Sequence, residues 1–494
     1  EVSNTALAAR ECLRVVARAN PSQAVPVVLE AAQAASASPD ALDRAAAVHA
    51  VAFALSGARE APGGWAVPLA RALSDSAVWV RQAACEGAIL LAEELKPSQQ
   101  VTAGLELLLG TLMELLLREP NLELMEKAAM AAGAILQELS TDEAAAKVPQ
   151  AAPAIFQAMT KVSHALAGAA NGVNGSGENF ETRETALEGG AALAAVARCL
   201  TSLASVTADH FGPWAPEAAK SLVLLFRACR PTAGGKQMVA SPVRPAVEAA
   251  CFDAAGAVIA SAWADPSFQA EKEELAAAAR SVLLDTCAPS EARASAHNFY
   301  GRVALAQFED FAPSLETVMP PALEALRAQE TGHVVKHGRS RSVRTGSHEE
   351  RLAAIEAIGN YAVACGARFA PQLPSALPAL CAQAQHPNPQ LRAATANALA
   401  QIGRVLGDLA QGIPSSDQQA ASRLAEAVAQ SLSEILQQPG SSAALRCALQ
   451  AKEDLDACDG FLSLAGATSL SSAAAGRRSE DVEDSDDDQE DEEE

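Results

Sequence analysis

The residues that could do chemistry in this sequence are its 8 histidines, 10 cysteines and 60 acidic residues. His333, His337 and His348 share one short stretch, but its Gly, Ser and Arg residues indicate a solvated loop rather than a metal site. The cysteines stand singly and form no CxxC pair, so the spacing of a zinc site is missing. No acid is paired with a base in an apolar segment, as catalysis would require. We therefore predict no bound metal.

Enzyme signatures are also missing from the sequence. It contains no GxxxxGK[ST], no HExxH and no GxSxG. We predict a protein that is not an enzyme, with no catalytic residues and no cofactor. An enzyme that carries helical repeats is an alternative, but no motif supports it.

A concentrated acidic run occupies Glu480 to Glu494, which holds 12 acids. The other residues include 48 acids against 37 basic residues, a net charge of −11. Such a balance argues against direct nucleic-acid binding, which needs a basic face, and fits a basic protein partner. Alternatively, the acidity only confers solubility. The candidate partner-binding residues are Glu480, Asp481, Glu483, Asp484, Asp486, Asp487, Asp488 and Glu490.

The elements around these residues are copies of one helical unit. In residues 386–403, HPNPQLRAATANALAQIG, a proline-rich turn precedes apolar residues at steps of three and four, the stripe of an amphipathic helix. Residues 75–91 have the same design, with Arg81 at the place of Arg392. Asp75 begins the turn before Arg81 and is predicted to form a salt bridge with it, whereas His386 stands in its place in the later copy. Asp75, Arg81 and Arg392 are therefore assigned a structural role in the repeats.

Two signatures extend this repeat along the chain. The first is a Phe-Ala/Gly-Pro sequence that begins at Phe211, Phe311 and Phe369. The second is a basic residue near the start of a helical stripe. It aligns at Arg44, Arg81, Lys127, Arg183, Arg244, Arg293, Arg392 and Arg446. A unit of about 40 residues made of two antiparallel helices is typical of HEAT and armadillo repeats, which stack on their neighbours.

The predicted fold is therefore all-α, a HEAT/armadillo-type superhelical solenoid over residues 1–470. Flexible insertions are expected near residues 168–182, 231–243 and 330–348, and residues 471–494 are expected to form a disordered acidic segment. Apolar residues make up 49% of the chain, enough for a large core, and no strand pattern is present. No signal peptide or run of 18 apolar residues occurs, so no membrane contact is expected. Because the first residue is Glu, we expect a fragment of a longer protein.

The order of these units resembles importin-β-type nuclear transport receptors (karyopherins), most closely the branch that imports histones and ribosomal proteins. The resemblance covers roughly residues 5–455. Three stretches carry it: 72–97, 308–326 and 342–380 with its continuation through Gln401.

The resemblance implies that basic cargo is held on a concave face built from the second helix of each repeat. It also implies cargo release by the Ran GTPase in its GTP form, nucleoporin binding by the full-length protein, a monomer, and residence in cytoplasm and nucleus. The repeats that grip Ran in this family are not in this chain, and the insertion at Lys336–Arg344 is basic where the family's is often acidic. The alternative function is a non-transport HEAT scaffold for a phosphatase or cytoskeletal assembly.

Overall fold

Short polar side chains begin several of the helices. The Asp40 carboxylate accepts a hydrogen bond from the Leu42 N–H (2.9 Å), Ser98 Oγ accepts from Val101 N–H (3.2 Å), and Asn121 Oδ1 accepts from Leu124 N–H (2.8 Å). Each bond satisfies a backbone donor that has no partner within its own helix. Alanine-rich sequence then propagates the helices.

The computed structural model describes residues 2–172, 180–229, 244–328, 346–410, 415–438 and 442–465. These residues form helices and turns and contain no strand, which confirms the predicted all-α HEAT-type solenoid fold. The helices are α1 (Val2–Ala19), α2 (Pro21–Ala35), α3 (Ala41–Ala58), α4 (Val67–Ala72), α5 (Val78–Glu94), α6 (Gln99–Arg118), α7 (Leu122–Glu138), α8 (Thr141–Gly172), α9 (Phe180–Thr207), α10 (Ala215–Cys229), α11 (Arg244–Ser261), α12 (Gln269–Leu284), α13 (Ser290–Gln307), α14 (Leu315–Arg327), α15 (Gly346–Cys365), α16 (Leu373–Cys381), α17 (Pro389–Ala410), α18 (Ser415–Gln437), α19 (Ser442–Asp456) and α20 (Asp459–Ala465).

The helices group into two compact units, Glu1–Phe299 and Tyr300–Glu494. In the first unit α1, α3, α5, α7, α9 and α11 pack side by side in one layer, which we call the odd row. Helices α4, α6, α8, α10 and α12 pack side by side in a second layer, the even row. In the second unit α15, α17 and α19 form an odd row, and α14, α16 and α18 an even row. Each helix thus buries its apolar stripe against its neighbours, as in repeat proteins.

The core between the rows is built mostly from Ala, Leu and Val, with a few large rings. Trp65 is 1% exposed, and its indole N–H donates to the Gln100 carbonyl (3.2 Å). The indole lies against Gly104 of α6, where an added Cβ would come within 2.4 Å of the ring. A residue larger than glycine at this position would displace the ring, so the absence of a side chain sets how closely α6 approaches the α3–α4 connection.

The Phe-Ala/Gly-Pro signature forms a 3-10 turn between an odd-numbered helix and the even-numbered helix that follows it. The turns are 208–214, 308–314 and 366–372, and Phe211, Phe311 and Phe369 are each fully buried in them. Each turn starts with a residue in the left-handed region, with φ of 39°, 52° and 50° at Ala208, Phe308 and Gly366, respectively. The signature thus marks a recurring chain reversal. Glycine suits the first residue of this reversal best, because glycine adopts a positive φ without steric cost.

Because only one of these three turns begins with glycine, Phe308→Gly is expected to stabilise the second unit by about 0.5–1 kcal/mol. Phe308 is 68% exposed, so little packing is lost with its ring. Hydrogen exchange of the amides of α13 and α14 measures the local opening free energy. Phe308→Ala is the control, since it removes the ring but keeps the strained Cβ. A glycine variant no more stable than the alanine variant would contradict the prediction, and Gly366→Ala is expected to destabilise by a similar amount.

The predicted insertions fall mostly outside the described residues. Residues 168–172 end α8, residues 180–182 begin α9, and residues 346–348 begin α15, so these parts of the predicted insertions are helical. The helices extend further than the Gly- and Ser-rich composition indicated. The segment 231–243 and the acidic segment 471–494 lie outside the described residues.

Two described stretches, Gln99–Arg118 and Leu187–Arg227, are as long and apolar as a membrane span. Of their most apolar windows, 50% and 67% are buried among neighbouring helices. The second stretch also contains a 3-10 turn with Pro213. Core helices of a helical array are long, apolar and buried in the same way. Length and composition alone are therefore weak evidence that either stretch spans a membrane.

Candidate functional site

Arginines near the starts of odd-row helices join each repeat to the next, and we call this series the arginine ladder. It lies on the side of the odd row away from its outer face. The Nη1 of Arg44 donates to the carbonyls of Ser38 and Pro39, and its Nε and Nη2 donate to the Asp75 carboxylate at 2.8 and 2.9 Å. Arg81 repeats the arrangement one unit later. Its Nη1 donates to the carbonyls of Asp75 and Ser76, and its other donors reach Glu119. Each arginine thus ties the turn of its own repeat to the turn of the next.

The predicted salt bridge between Asp75 and Arg81 is wrong in its partner. The Asp75 carboxylate pairs with Arg44. Arg81 contacts Asp75 only at its backbone carbonyl, not at its carboxylate. The reason is geometric: odd-row helices lie side by side, so an arginine in the first turn of one helix faces the turn that precedes the next. The hydrogen bonds from Arg44 hold the pKa of Asp75 below its ordinary value, although burial opposes this.

The same ladder occurs in the second unit. Arg392 is 4% exposed, and its Nη1 donates to the carbonyls of His386 and Pro387 at 2.8 and 2.9 Å. The His386 ring takes the place of the Asp75 carboxylate. Its Nδ1 accepts from the Asn388 N–H, and its Nε2 lies 3.0 Å from Nη1 of Arg351. Arg351 is therefore a ladder residue that the alignment missed, because a long insertion precedes it in the sequence.

Two other aligned basic residues, Lys127 and Arg244, pair elsewhere. Lys127 Nζ forms an ion pair with Glu86 on the outer side of the odd row (2.6 Å), and Arg244 pairs with Glu248 of its own helix (3.1 Å). Lys127 lies one helical turn from each of the exposed residues Glu123 and Met130, which places it on the outer face rather than under it. Sequence spacing alone did not distinguish a basic residue in the ladder from one on the outer face of its helix, because the connections between helices differ in length.

An open apolar groove of about 490 Å³ lies on the odd row of the first unit, between α1, α3 and α5. Alanines line it together with larger apolar residues, among them Leu42, Phe53 and Trp79. Trp79 and Leu42 are 66% and 69% exposed, so the groove leaves large apolar surface in contact with water. Large exposed apolar patches of this kind mark interaction sites. Single-sequence reasoning missed the groove because its residues come from three helices far apart in the chain.

Charged groups line one side of the groove. The guanidinium of Arg10 lies 5.5 Å from the centre of the Phe53 ring, a cation–π contact. Glu86 accepts hydrogen bonds from Lys127 (2.6 Å) and Gln82 (3.2 Å). Burial opposes the ionisation of Glu86, but these bonds outweigh it and lower its pKa. The pKa of His49 is lowered by burial and by Arg10, so His49 is neutral near pH 7.

Beyond the groove, carboxylates stand on the outer face of the odd row, with the exposed Arg198 of α9 near one of them. Glu93 of α5 and Glu123 of α7 are exposed, and Glu126 is half-buried. None of these three carboxylates forms an ion pair in the part of the chain that the structure describes. Burial raises the pKa of Glu126, Arg198 and Lys127 oppose the shift, and the nearby Glu123 adds to it.

The other predicted site residues are placed as follows. The candidate partner-binding acids, Glu480 through Glu490, lie outside the described residues. His333 and His337 also lie outside them, whereas His348 packs edge-on against His386 with ring centres 5.7 Å apart. No group of three metal-holding side chains occurs within the described ranges.

The nine cysteines whose side chains the structure describes are free thiols. Cys85, Cys199, Cys251 and Cys365 are buried, whereas Cys12 and Cys287 are exposed. Burial raises the pKa of Cys199 to about 12 and that of Cys365 to about 11. These two thiols therefore stay protonated and are poor nucleophiles near neutral pH.

Comparison with known proteins finds the same helical-repeat fold in solved structures. Residues 348–402 match the model of a HEAT-like repeat. Kap121p bound to the SUMO protease Ulp1p has a TM-score of 0.56 and 15% identity, covering 90% of this chain and 43% of that one. Kap121p bound to Pho4p has a TM-score of 0.55 and 14% identity, with 86% and 41% coverage. Importin beta gives a weaker likeness, with a TM-score of 0.46 and 15% identity.

The chain spans less than half the length of the Kap121p chains it resembles. A search of curated proteins gave no match to the sequence. At this level of identity the likeness establishes the helical-repeat fold, and the histone and ribosomal-protein branch is not distinguished.

Proposed function

We propose that this chain belongs to a nuclear import receptor of the karyopherin-β type, which binds basic protein cargo and carries it through the nuclear pore. The observation that carries the proposal is the fold shared with Kap121p, which was crystallised bound to protein partners. The odd-row helices are the second helices of their repeats, so their outer face is the proposed cargo surface. Its exposed carboxylates Glu93 and Glu123 favour a partner rich in lysine and arginine.

The finer parts of the proposal concern the full-length protein. We expect it to release cargo when Ran-GTP binds, to contact nucleoporins, to act as a monomer and to move between cytoplasm and nucleus. Histone-like and ribosomal-protein-like cargo fits the acidic composition. No catalytic step is part of this function.

The alternative is a HEAT scaffold for a phosphatase or cytoskeletal assembly, which no contact among the described residues favours over transport. A binding experiment on the full-length protein separates the two functions. Transport predicts that Ran loaded with a non-hydrolysable GTP analogue displaces a bound lysine-rich histone-tail peptide, whereas Ran-GDP does not. A peptide that stays bound with both forms of Ran would contradict the transport proposal and favour a scaffold.

The terminal acidic run is proposed to speed the capture of basic cargo. Deleting Glu480 to Glu494 is expected to slow association several-fold at low salt and to change dissociation little, because outer charges act mainly on the encounter rate. The difference is expected to shrink as salt shortens the Debye length from about 10 Å at 0.1 M toward 3 Å at 1 M. Stopped-flow rates with a labelled basic peptide measure both effects.

A matched control for this deletion keeps the length of the run and replaces its Asp and Glu by Asn and Gln. The control is expected to behave like the deletion. Association rates that ignore both changes at every salt concentration would leave the run as a solubility feature.

A further inference from the structure

The apolar groove between α1, α3 and α5, which we call the Trp79 groove, holds a positive charge that its own carboxylate does not balance. On the α5 side, Glu86 pairs with Lys127 at 2.6 Å. On the α1 side, the Arg10 guanidinium lies 5.5 Å from the centre of the Phe53 ring, and no carboxylate among the described residues forms an ion pair with it. The charge that remains in the groove is therefore positive.

His49 shows that the charge of Arg10 acts inside the groove. Its ring also lines the groove, with its centre 6.5 Å from that of Phe53. Burial lowers the pKa of His49 most and Arg10 lowers it further, whereas Glu86, at 4.0 Å, raises it by less than Arg10 lowers it. An added cation is thus disfavoured at this place, and the same interaction favours an anion. The groove is therefore a poor site for a lysine or arginine of a partner.

The rest of the groove suits an uncharged, apolar body. Trp79 and Leu42 are both largely exposed, and alanines from all three helices complete the lining. The volume of about 490 Å³ lies within the range of small-molecule sites, roughly 300–1,000 Å³. A ligand that covers Trp79 and Leu42 removes apolar surface from water, which favours its binding.

The unbalanced charge and the exposed tryptophan stand on opposite sides of the groove. Arg10 belongs to α1 and Trp79 to α5, and α3 packs between these two helices. Packed helices lie about 8–10 Å apart and side chains from both outer helices reach inward, so a ligand that contacts both residues needs an apolar body of about 10 Å. That length corresponds to an alkyl chain of about eight to ten carbons, and it exceeds the reach of a leucine or phenylalanine side chain.

We propose that the Trp79 groove binds a fatty-acid-like monocarboxylate, a small molecule with one carboxylate and an apolar chain of about 10 Å. The carboxylate reaches the Arg10 guanidinium, whose fork of N–H donors matches its two oxygens. The apolar chain lies along Ala46 and Ala50 of α3 and covers Trp79. The proposal does not depend on the proposed transport function, because the site takes an anion whereas the expected cargo is basic.

Three probes with the same alkyl chain test this site on the whole chain: decanoate, decanol and decylammonium. Calorimetry at neutral pH, below the concentrations at which the probes form micelles, gives the affinities. Acrylamide quenching of tryptophan fluorescence reports the cover over Trp79, and Trp79→Phe identifies its signal among the 4 tryptophans.

Decanoate is expected to protect Trp79 from acrylamide and to bind about tenfold more tightly than decylammonium, because a charged hydrogen bond replaces a repulsion. Decanol is expected to bind with an affinity between those of the two charged probes. The preference for the anion is expected to shrink as the salt concentration rises.

Arg10→Gln is expected to weaken decanoate about tenfold and to leave decanol nearly unchanged, so that the preference for the anion is lost. Arg18→Gln is the matched control, because Arg18 is an exposed residue of the same helix that does not line the groove. Ala46→Phe, at an exposed position of α3, fills the groove and is expected to abolish the binding of all three probes. Circular dichroism checks that the helices of each variant are intact.

The proposal is wrong if the three probes bind equally, or if Arg10→Gln and Arg18→Gln weaken decanoate to the same extent. It is also wrong if decanoate does not bind and Trp79 stays open to acrylamide. If Trp79 is protected without any probe and becomes accessible on dilution, a second copy of the chain covers the groove and the fatty-acid proposal is overturned. None of these outcomes changes the release of a histone-tail peptide by Ran, so the proposed function is tested separately.

Discussion

Glu119→Ala is expected to lower the free energy of unfolding of the first unit by about 3–5 kcal/mol, because it leaves the Arg81 charge buried without its partner. The side chains of Arg81 and Glu119 are 12% and 3% exposed and lie 2.9 Å apart. Glu119 also accepts from the Asn121 N–H at 3.1 Å, and its backbone carbonyl accepts from Lys161. The carboxylate thus connects α5 with the start of α7, so its loss is expected to loosen these two helices together, whereas the bond from Lys161 to the backbone carbonyl remains.

Hydrogen exchange of the amides in these helices measures the loss, since a repeat array need not unfold in a single step. Glu274→Ala is the matched control. It breaks the Arg227–Glu274 pair, whose side chains are 58% and 38% exposed, and it is expected to cost less than about 1 kcal/mol. If Glu119→Ala and Glu274→Ala lowered the free energy of opening by similar amounts, the burial of Glu119 would not determine the size of the loss, and the prediction would be wrong.

A double variant separates the value of the pair from the cost of an orphaned charge. Arg81→Met/Glu119→Leu is expected to be more stable than Glu119→Ala, because no buried charge is left unpaired. It is still expected to be less stable than the natural chain, since the bonds from Arg81 to the carbonyls of Asp75 and Ser76 are lost.

His297→Leu is expected to remove a large part of the acid sensitivity of the first unit. His297 is fully buried in α13, and neither ring nitrogen has a hydrogen-bond partner in the described part of the chain. Burial, with a smaller contribution from Arg293, lowers its pKa from 6.5 to about 3. The unfolded chain therefore takes up a proton below pH 6.5, whereas the folded chain does not until the pH nears 3.

This difference makes protonation favour unfolding as the pH falls. Stability is expected to decrease by about 1.4 kcal/mol for each pH unit below 6.5, or roughly 2 kcal/mol between pH 6.5 and pH 5. In the leucine variant this contribution is absent, and at pH 7 the variant is expected to gain about 1–3 kcal/mol, because no unsatisfied polar group is buried.

Urea unfolding at several pH values, compared between the two chains, measures the contribution. His49→Asn is the control, because His49 is only partly buried and its lowered pKa is expected to give a smaller slope over the same pH range. The prediction would be contradicted if the free energy of unfolding of the natural chain fell as slowly between pH 6.5 and pH 5 as that of the leucine variant.

The sequence by itself determined the helical class and the repeat. Apolar steps of three and four, proline-rich turns and the recurring Phe-Ala/Gly-Pro sequence are local properties, since a helix stripe or a chain reversal involves residues within a few positions. The buried rings of Phe211, Phe311 and Phe369 therefore follow from their sequence context. The resemblance to karyopherins was likewise found from the order of the repeats, and the shared fold with Kap121p agrees with it.

Which side chains meet was decided only by the tertiary structure. Asp75 pairs with Arg44 of the preceding repeat rather than with the nearby Arg81, because side-by-side helices bring residues 31 positions apart into contact. Lys127 reaches the outer face although its sequence matches the ladder, since the phase of a helix depends on the connection before it. The groove at Trp79 exists only because α1, α3 and α5 pack in one row, a relation that no local pattern contains.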